Sequence, residues 1–130
     1  MTRLTEAQRA QLEALRQSYR AELPAKLGLI GGAVHTLHAG GWEKEHLEAL
    51  YDLIHKLTGS AAIYGFGDIS RAAGDLESWA LEALDGGLPE ARRLQLTALM
   101  SALQEAFNAT EILRPDGPGP LKRRGSRASR

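Results

Sequence analysis

The chain contains no cysteine, which excludes disulfide frameworks, thiolate zinc sites and cysteine nucleophiles. Aromatic residues make up only 5% of the sequence, and β-branched residues are few and never alternate with polar ones, so nothing reads as a strand. No apolar run approaches the roughly 18 residues needed to cross a bilayer. The opening Met1-Thr2-Arg3-Leu4-Thr5-Glu6 lacks the apolar stretch of a signal peptide. The expected location is therefore cytoplasmic, with no membrane association. Glycine-rich phosphate loops are missing as well: there is no G-x-x-x-x-G-K-[ST] and no kinase-type glycine loop.

What remains is a chain of 130 residues rich in Ala, Leu, Glu, Arg and Gln, long enough for one domain with a hydrophobic core. The formal net charge is zero, but the charge is segregated. Before Arg114 there are ten basic and fifteen acidic side chains, a net −5. From Arg114 onward Lys122, Arg123, Arg124, Arg127, Arg130 and Arg114 itself face Asp116 alone, a net +5. An acidic domain is joined to a basic tail.

Five helical segments are predicted. Thr5 opens the first, with Gln8 three residues on as its capping-box partner. Pro24 ends or kinks that segment and serves as the first residue of the second, which runs to about Ala39 and stops at Gly40-Gly41. The third, about Glu43 to Tyr64, has the clearest period: Leu47, Leu50, Ile54, Leu57, Ala61 and Tyr64 recur at intervals of three and four. Gly65-Phe66-Gly67 breaks it, and Asp68 is the expected N-cap of a fourth helix with Ile69, Ala73, Leu76, Ala80 and Leu84 facing inward. Asp85-Gly86-Gly87 closes that helix. Pro89 suits the first turn of the fifth, where Leu96, Leu99, Leu103 and Ala106 continue the pattern.

Short connections between amphipathic helices favour an all-α, antiparallel up-down four-helix bundle with an additional N-terminal helix. The expected division is a bundle over residues 1–114 and a disordered basic tail over 115–130, where Pro-Asp-Gly-Pro-Gly-Pro ends regular structure. Monomer is the default for such a self-contained bundle.

His55 follows the inward residue Ile54 and sits about 100° round the helix from it. Tyr51, Asp52, Thr58 and Gly59 are its near neighbours, and Ala62 lies two turns along. Beyond the imidazole the surface is small or hydroxylated. An ordinary imidazole is mostly neutral at pH 7 and is an established covalent carrier in group transfer. Gly59, one turn on, costs about 1 kcal/mol against Ala inside a helix, so close approach of another molecule is a reason for its presence.

His55, Leu57, Gly59, Ser60, Ala61, Ala62 and Gly65 form a pattern that resembles the histidine-containing phosphotransfer (HPt) domain. Leu23-Pro24, Gly41-Trp42 and Leu76-Glu77 look like features of the same family, and the resemblance covers roughly residues 19–110. It implies that His55 accepts a phosphoryl group from a histidine kinase or from the aspartate of a response regulator's receiver domain, and passes it on. Asp52, Lys56, Thr58, Gly59, Ser60 and Ala62 would support the exchange. The receiver partner would bring the Mg²⁺, so no cofactor or metal is expected on this chain, and no autonomous enzymatic activity. Many family members carry a lysine three residues after the histidine; here that position is Thr58, with Lys56 at the next position after His55. Thr58 offers a hydroxyl donor in the lysine's place.

The remaining candidates read more simply. His35 and His38 share a helix face without a third ligand at metal spacing. His46 is expected at the surface, Trp42 and Trp79 in packing, and Tyr64 and Phe66 at the end of the core. The basic tail lacks interleaved aromatics and reads as a solubilising or linker segment rather than a nucleic-acid arm. An adapter that binds a receiver domain without phosphorylation is the alternative to phosphoryl transfer.

Overall fold

The computed structural model describes residues 3–40, 42–87 and 90–112, with side chains described as far as residue 110. Gly41, Pro89 and the tail from 115 onward, all assigned above, lie outside the described residues. Four helices carry this part of the chain: α1 (Glu6–His38), α2 (Lys44–Ile63), α3 (Gly67–Gly86) and α4 (Glu90–Ile112). Among the described residues there is no strand.

The helix count corrects the sequence expectation. α1 is one helix of 33 residues with Pro24 inside it, so the separate N-terminal helix is the first half of a longer one. Proline in a helix interior costs about 3 kcal/mol through a lost hydrogen bond and a ring clash. Here Pro24 is exposed, while Tyr19, Leu23, Leu27, Ile30, Val34 and Leu37 are buried on both sides of it. Each such side chain contributes about 1.5–3 kcal/mol on burial, so packing pins both halves in one direction and outweighs the local break. Pro24→Ala is therefore expected to raise stability by about 1–3 kcal/mol, because it restores the bond to the Arg20 carbonyl. Denaturant unfolding checks this, and a loss of stability would show that the proline's fixed φ matters more than the missing bond.

The caps follow the sequence unevenly. Thr5 and Gln8 form the capping box, with the Gln8 amide donating to Thr5 Oγ1 at 3.0 Å and the Thr5 amide donating to Gln8 Oε1 at 2.8 Å. Asp68, expected as an N-cap, lies instead in the first turn of α3, whose N-cap is Phe66. From there it pairs with Arg71 and opposes the positive end of the helix. Gly65 turns the chain from α2 to α3 at φ +85°, a region that favours glycine.

The inward seams meet as the spacing requires. Leu47, Leu50, Ile54, Leu57 and Ala61 of α2 are buried with Ile69, Ala73, Leu76 and Ala80 of α3 and with Leu96 and Leu103 of α4. Leu84, Leu99 and Ala106 pack half-buried against them. Trp79 is buried and donates its indole N–H to the Arg92 carbonyl at 2.8 Å. At one end Tyr19 stacks on Tyr64 (centroids 4.6 Å apart) and lies 5.8 Å from Phe66. Arg16 crosses from α1 to this end. Its Nε donates to the Tyr64 carbonyl at 3.0 Å, and its guanidinium lies over the Phe66 ring. Carbonyls left over at the end of α2 are thereby satisfied by a side chain of another helix. At the other end Trp42 receives the edge of His38 and the guanidinium of Arg93.

Candidate functional site

One stripe of α2 faces solvent along Glu45, Glu48, Asp52, His55, Gly59 and Ala62, all exposed and spaced at intervals of three and four. Its first half is acidic and its second half small. His55 stands at the boundary, with 63% of its side chain accessible. The buried Ile54 beside it fixes the rotation of the helix, so the imidazole is held outward by core packing one residue away.

Two contacts fix the ring. Tyr51, one turn earlier, stacks on it with centroids 5.6 Å apart and planes 17° from parallel. Nδ1 lies 2.7 Å from Oε2 of Glu77, which reaches across from α3 and has only 19% of its side chain exposed. The Tyr51 hydroxyl approaches the same carboxylate oxygen at 3.5 Å. An ionised carboxylate only accepts, so Nδ1 carries the proton and donates it to Glu77. Nε2, the other ring nitrogen, then bears the lone pair. The ring is oriented, its tautomer is set, and its second nitrogen is free to act as a nucleophile or an acceptor.

α3 faces this part of α2 with a stripe of small residues. Ser70 donates to the Thr58 carbonyl at 2.8 Å. A Cβ at Gly74 would sit 3.9 Å from Thr58 Cγ2, at ordinary contact distance. Glu77 follows Ser70 and Gly74 at intervals of four and three, which sets it on the same stripe opposite His55. In the sequence Glu77 stands out only as part of Leu76-Glu77, with no role of its own. The signal available was one acidic residue ending a stripe of small ones.

The other sequence candidates divide into those beside His55 and those turned away. Asp52, Gly59 and Ala62 share its stripe. Gly59 has open space where a Cβ would stand, so no neighbouring helix requires a glycine there. Lys56 is exposed, one residue on and about 100° round the helix. Thr58 is half-buried, and its hydroxyl donates to the Ile54 carbonyl at 2.9 Å, so the donor expected to face the site is engaged within the helix. Ser60 faces α1 instead: its Oγ donates to the Lys56 carbonyl at 2.9 Å and lies 2.6 Å from the Tyr19 hydroxyl. It acts in packing, and burial pushes the Tyr19 hydroxyl pKa above its ordinary value.

Among the described residues no three of His, Asp and Glu come together in a way that would hold a metal ion. His35 and His38 are exposed. His46 is half-buried with Nε2 3.9 Å from Glu43, rather than simply at the surface. No helix is long and apolar enough to cross a membrane. A family model described as Hpt domain matches residues 4–106. No curated protein and no solved structure matches the chain.

Proposed function

The chain belongs to the Hpt domain family, and from that premise we propose that it carries phosphoryl groups in a two-component phosphorelay with His55 as the acceptor. The observation that carries this reading is the imidazole itself: exposed, stacked on Tyr51 and tied through Nδ1 to Glu77. We read the four helices as an antiparallel up-down bundle. Cross-helix pairs that support this are Tyr19 with Ser60, His55 with Glu77, and Trp79 with Arg92.

In the proposed step the Nε2 lone pair attacks the phosphorus of a phosphoaspartate on a receiver domain, or of a phosphohistidine on a kinase. The P–N bond to His55 forms as the donor's P–O or P–N bond breaks, and the donor keeps the bonding pair. The ring becomes cationic as the new bond forms, and the Glu77 carboxylate 2.7 Å from Nδ1 stabilises that charge. Transfer of this kind depends on positioning and charge neutralisation, which a side chain on a packed helix supplies. The metal and the acidic pocket come with the receiver partner, and the carrier needs no cofactor of its own. Gly59 and Ala62 leave room for that partner, Asp52 borders its approach, and Lys56 is the nearest cation along the helix. A cytoplasmic monomer is the form in which we expect it to act.

The test is incubation of the purified chain with a phosphorylated receiver domain, followed by assay for acid-labile, alkali-stable phosphate. Binding of the receiver without any label would favour the adapter reading instead. Glu77→Gln keeps a carbonyl acceptor for Nδ1–H but removes the charge. Hydrogen bonds to charged groups contribute about 1.5–3 kcal/mol, so the variant should accept phosphate about ten- to a hundredfold more slowly, with its thermal midpoint nearly unchanged. An unaltered rate would show that Glu77 takes no part in transfer.

A further inference from the structure

The exposed face of α2 changes character at His55. Before it stand Glu45, Glu48 and Asp52, all exposed. Glu48 has only Lys44, 3.9 Å away in the same helix, and among the described residues neither Glu45 nor Asp52 has an ion pair. Lys56 follows Asp52 by four residues yet forms no pair with it. After His55 come Gly59, Ala62 and Ile63, which are uncharged and exposed. Ile63 is 80% exposed, and among the described residues no large apolar side chain is more open. Four residues beyond Gly59, it shares that residue's ridge. Core packing does not account for it, since the last buried residue of α2 is Ala61. The face runs about 27 Å from Glu45 to Ile63, with His55 near its middle.

We infer that this face docks a receiver domain that carries Lys or Arg on one side of its acceptor aspartate and an apolar side chain on the other. The inference rests on the phosphoryl-transfer reading and adds the chemistry of the partner's surface. Charge selects the first half. A phosphoryl group on His55 is anionic, and so is the receiver pocket that exchanges it. Both would stand within one turn of Asp52, whose charge no ion pair on this chain offsets. Like charges across an interface cost affinity, so the partner's rim must bring cations to the Glu45–Asp52 side. Burial selects the second half. Interface centres are depleted of charge, and an exposed isoleucine gains by leaving water. Gly59 and Ala62 lower the surface around Ile63 so that an apolar group of the partner can reach it. The order of the two halves also sets direction. A receiver turned end for end along α2 would place its cations on Ile63 and its apolar group on carboxylates, an arrangement that is penalised twice.

Phosphoramidate, a small phosphoryl donor that needs no docking surface, separates chemistry from recognition in the full chain. With the receiver domain that labels the wild type, transfer should slow about tenfold in Ile63→Ser. It should slow about fivefold in Glu45→Gln/Glu48→Gln at low salt. Added sodium chloride should slow the wild type and close its gap to the double variant, because exposed charges are screened. Labelling by phosphoramidate should keep its wild-type rate in both variants. Leu94→Ser, at an exposed leucine of α4, should change neither reaction. A receiver reaction that ignores either change, or ignores salt, while phosphoramidate still labels His55 would overturn the inference and leave phosphoryl transfer standing. Equal loss of both reactions would overturn it as well, by marking damage to the setting of His55 rather than to docking. So would labelling by phosphoramidate when no receiver domain transfers. Failure of phosphoramidate to label even the wild type would overturn phosphoryl transfer itself.

Discussion

His55→Gln is expected to fold normally and to accept no phosphate. The side chain is 63% exposed and contributes nothing to the buried seam of α2, which passes through Ile54 and Leu57 on either side. Glutamine can still donate to Glu77, and exposed polar exchanges of this kind shift stability by about 0.5 kcal/mol in either direction. The helical circular dichroism and thermal midpoint should therefore match the wild type, while acid-labile phosphate falls to background. An amide nitrogen, its lone pair delocalised, does not replace an imidazole nucleophile, so the expected loss is complete rather than partial. Label that survives in the variant would place the acceptor elsewhere, with His35, His38 and His46 as the histidines left to examine.

The second large effect is expected at Gly59. A Cβ there meets nothing within 4 Å, so even a bulky side chain enters solvent rather than a helix interface. Replacing a helical glycine removes a cost of up to about 1 kcal/mol, so Gly59→Trp should leave stability unchanged or slightly raised. The same indole would stand one turn from His55 on the same exposed stripe and keep a docking partner at a distance. Displacement by about 1 Å from reacting geometry costs on the order of a hundredfold in rate, and a tryptophan imposes more than that. Phosphate transfer from a receiver domain should fall at least that far, while Gly59→Ala remains close to wild type. A drop in thermal midpoint that parallels the drop in transfer would instead mark Gly59 as a packing residue.

The residues around His55 differ in how readable they are from sequence. His55 stood out because two local facts coincided: the seam from Leu47 to Tyr64 set which way the helix faces, and Gly59 and Ala62 lowered the surface on one side. Thr58 and Ser60 belong to the same run of residues but have other partners. Thr58 returns its hydroxyl to the Ile54 carbonyl, a bond that a threonine in any helix can make. Ser60 is claimed by Tyr19, forty-one residues away in sequence. Neither assignment was available from spacing alone, because a hydroxyl takes whatever acceptor the packing brings near.

Sequence by itself determined the properties that repeat every three to four residues: where α2, α3 and α4 run, which stripe of each is buried, and that His55 faces outward. These are local, since the rotation of a helix follows from which of its own residues are apolar. Tertiary structure decided the rest. The continuity of α1 through Pro24 depends on burial on both sides of the proline, which overrides a local preference. The partnership of His55 with Glu77 depends on the register and separation of α2 and α3, which meet where Ser70 donates to the Thr58 carbonyl. A hydrogen bond 2.7 Å long between helices is fixed by the placement of two rigid bodies, and no pattern within either helix encodes that distance.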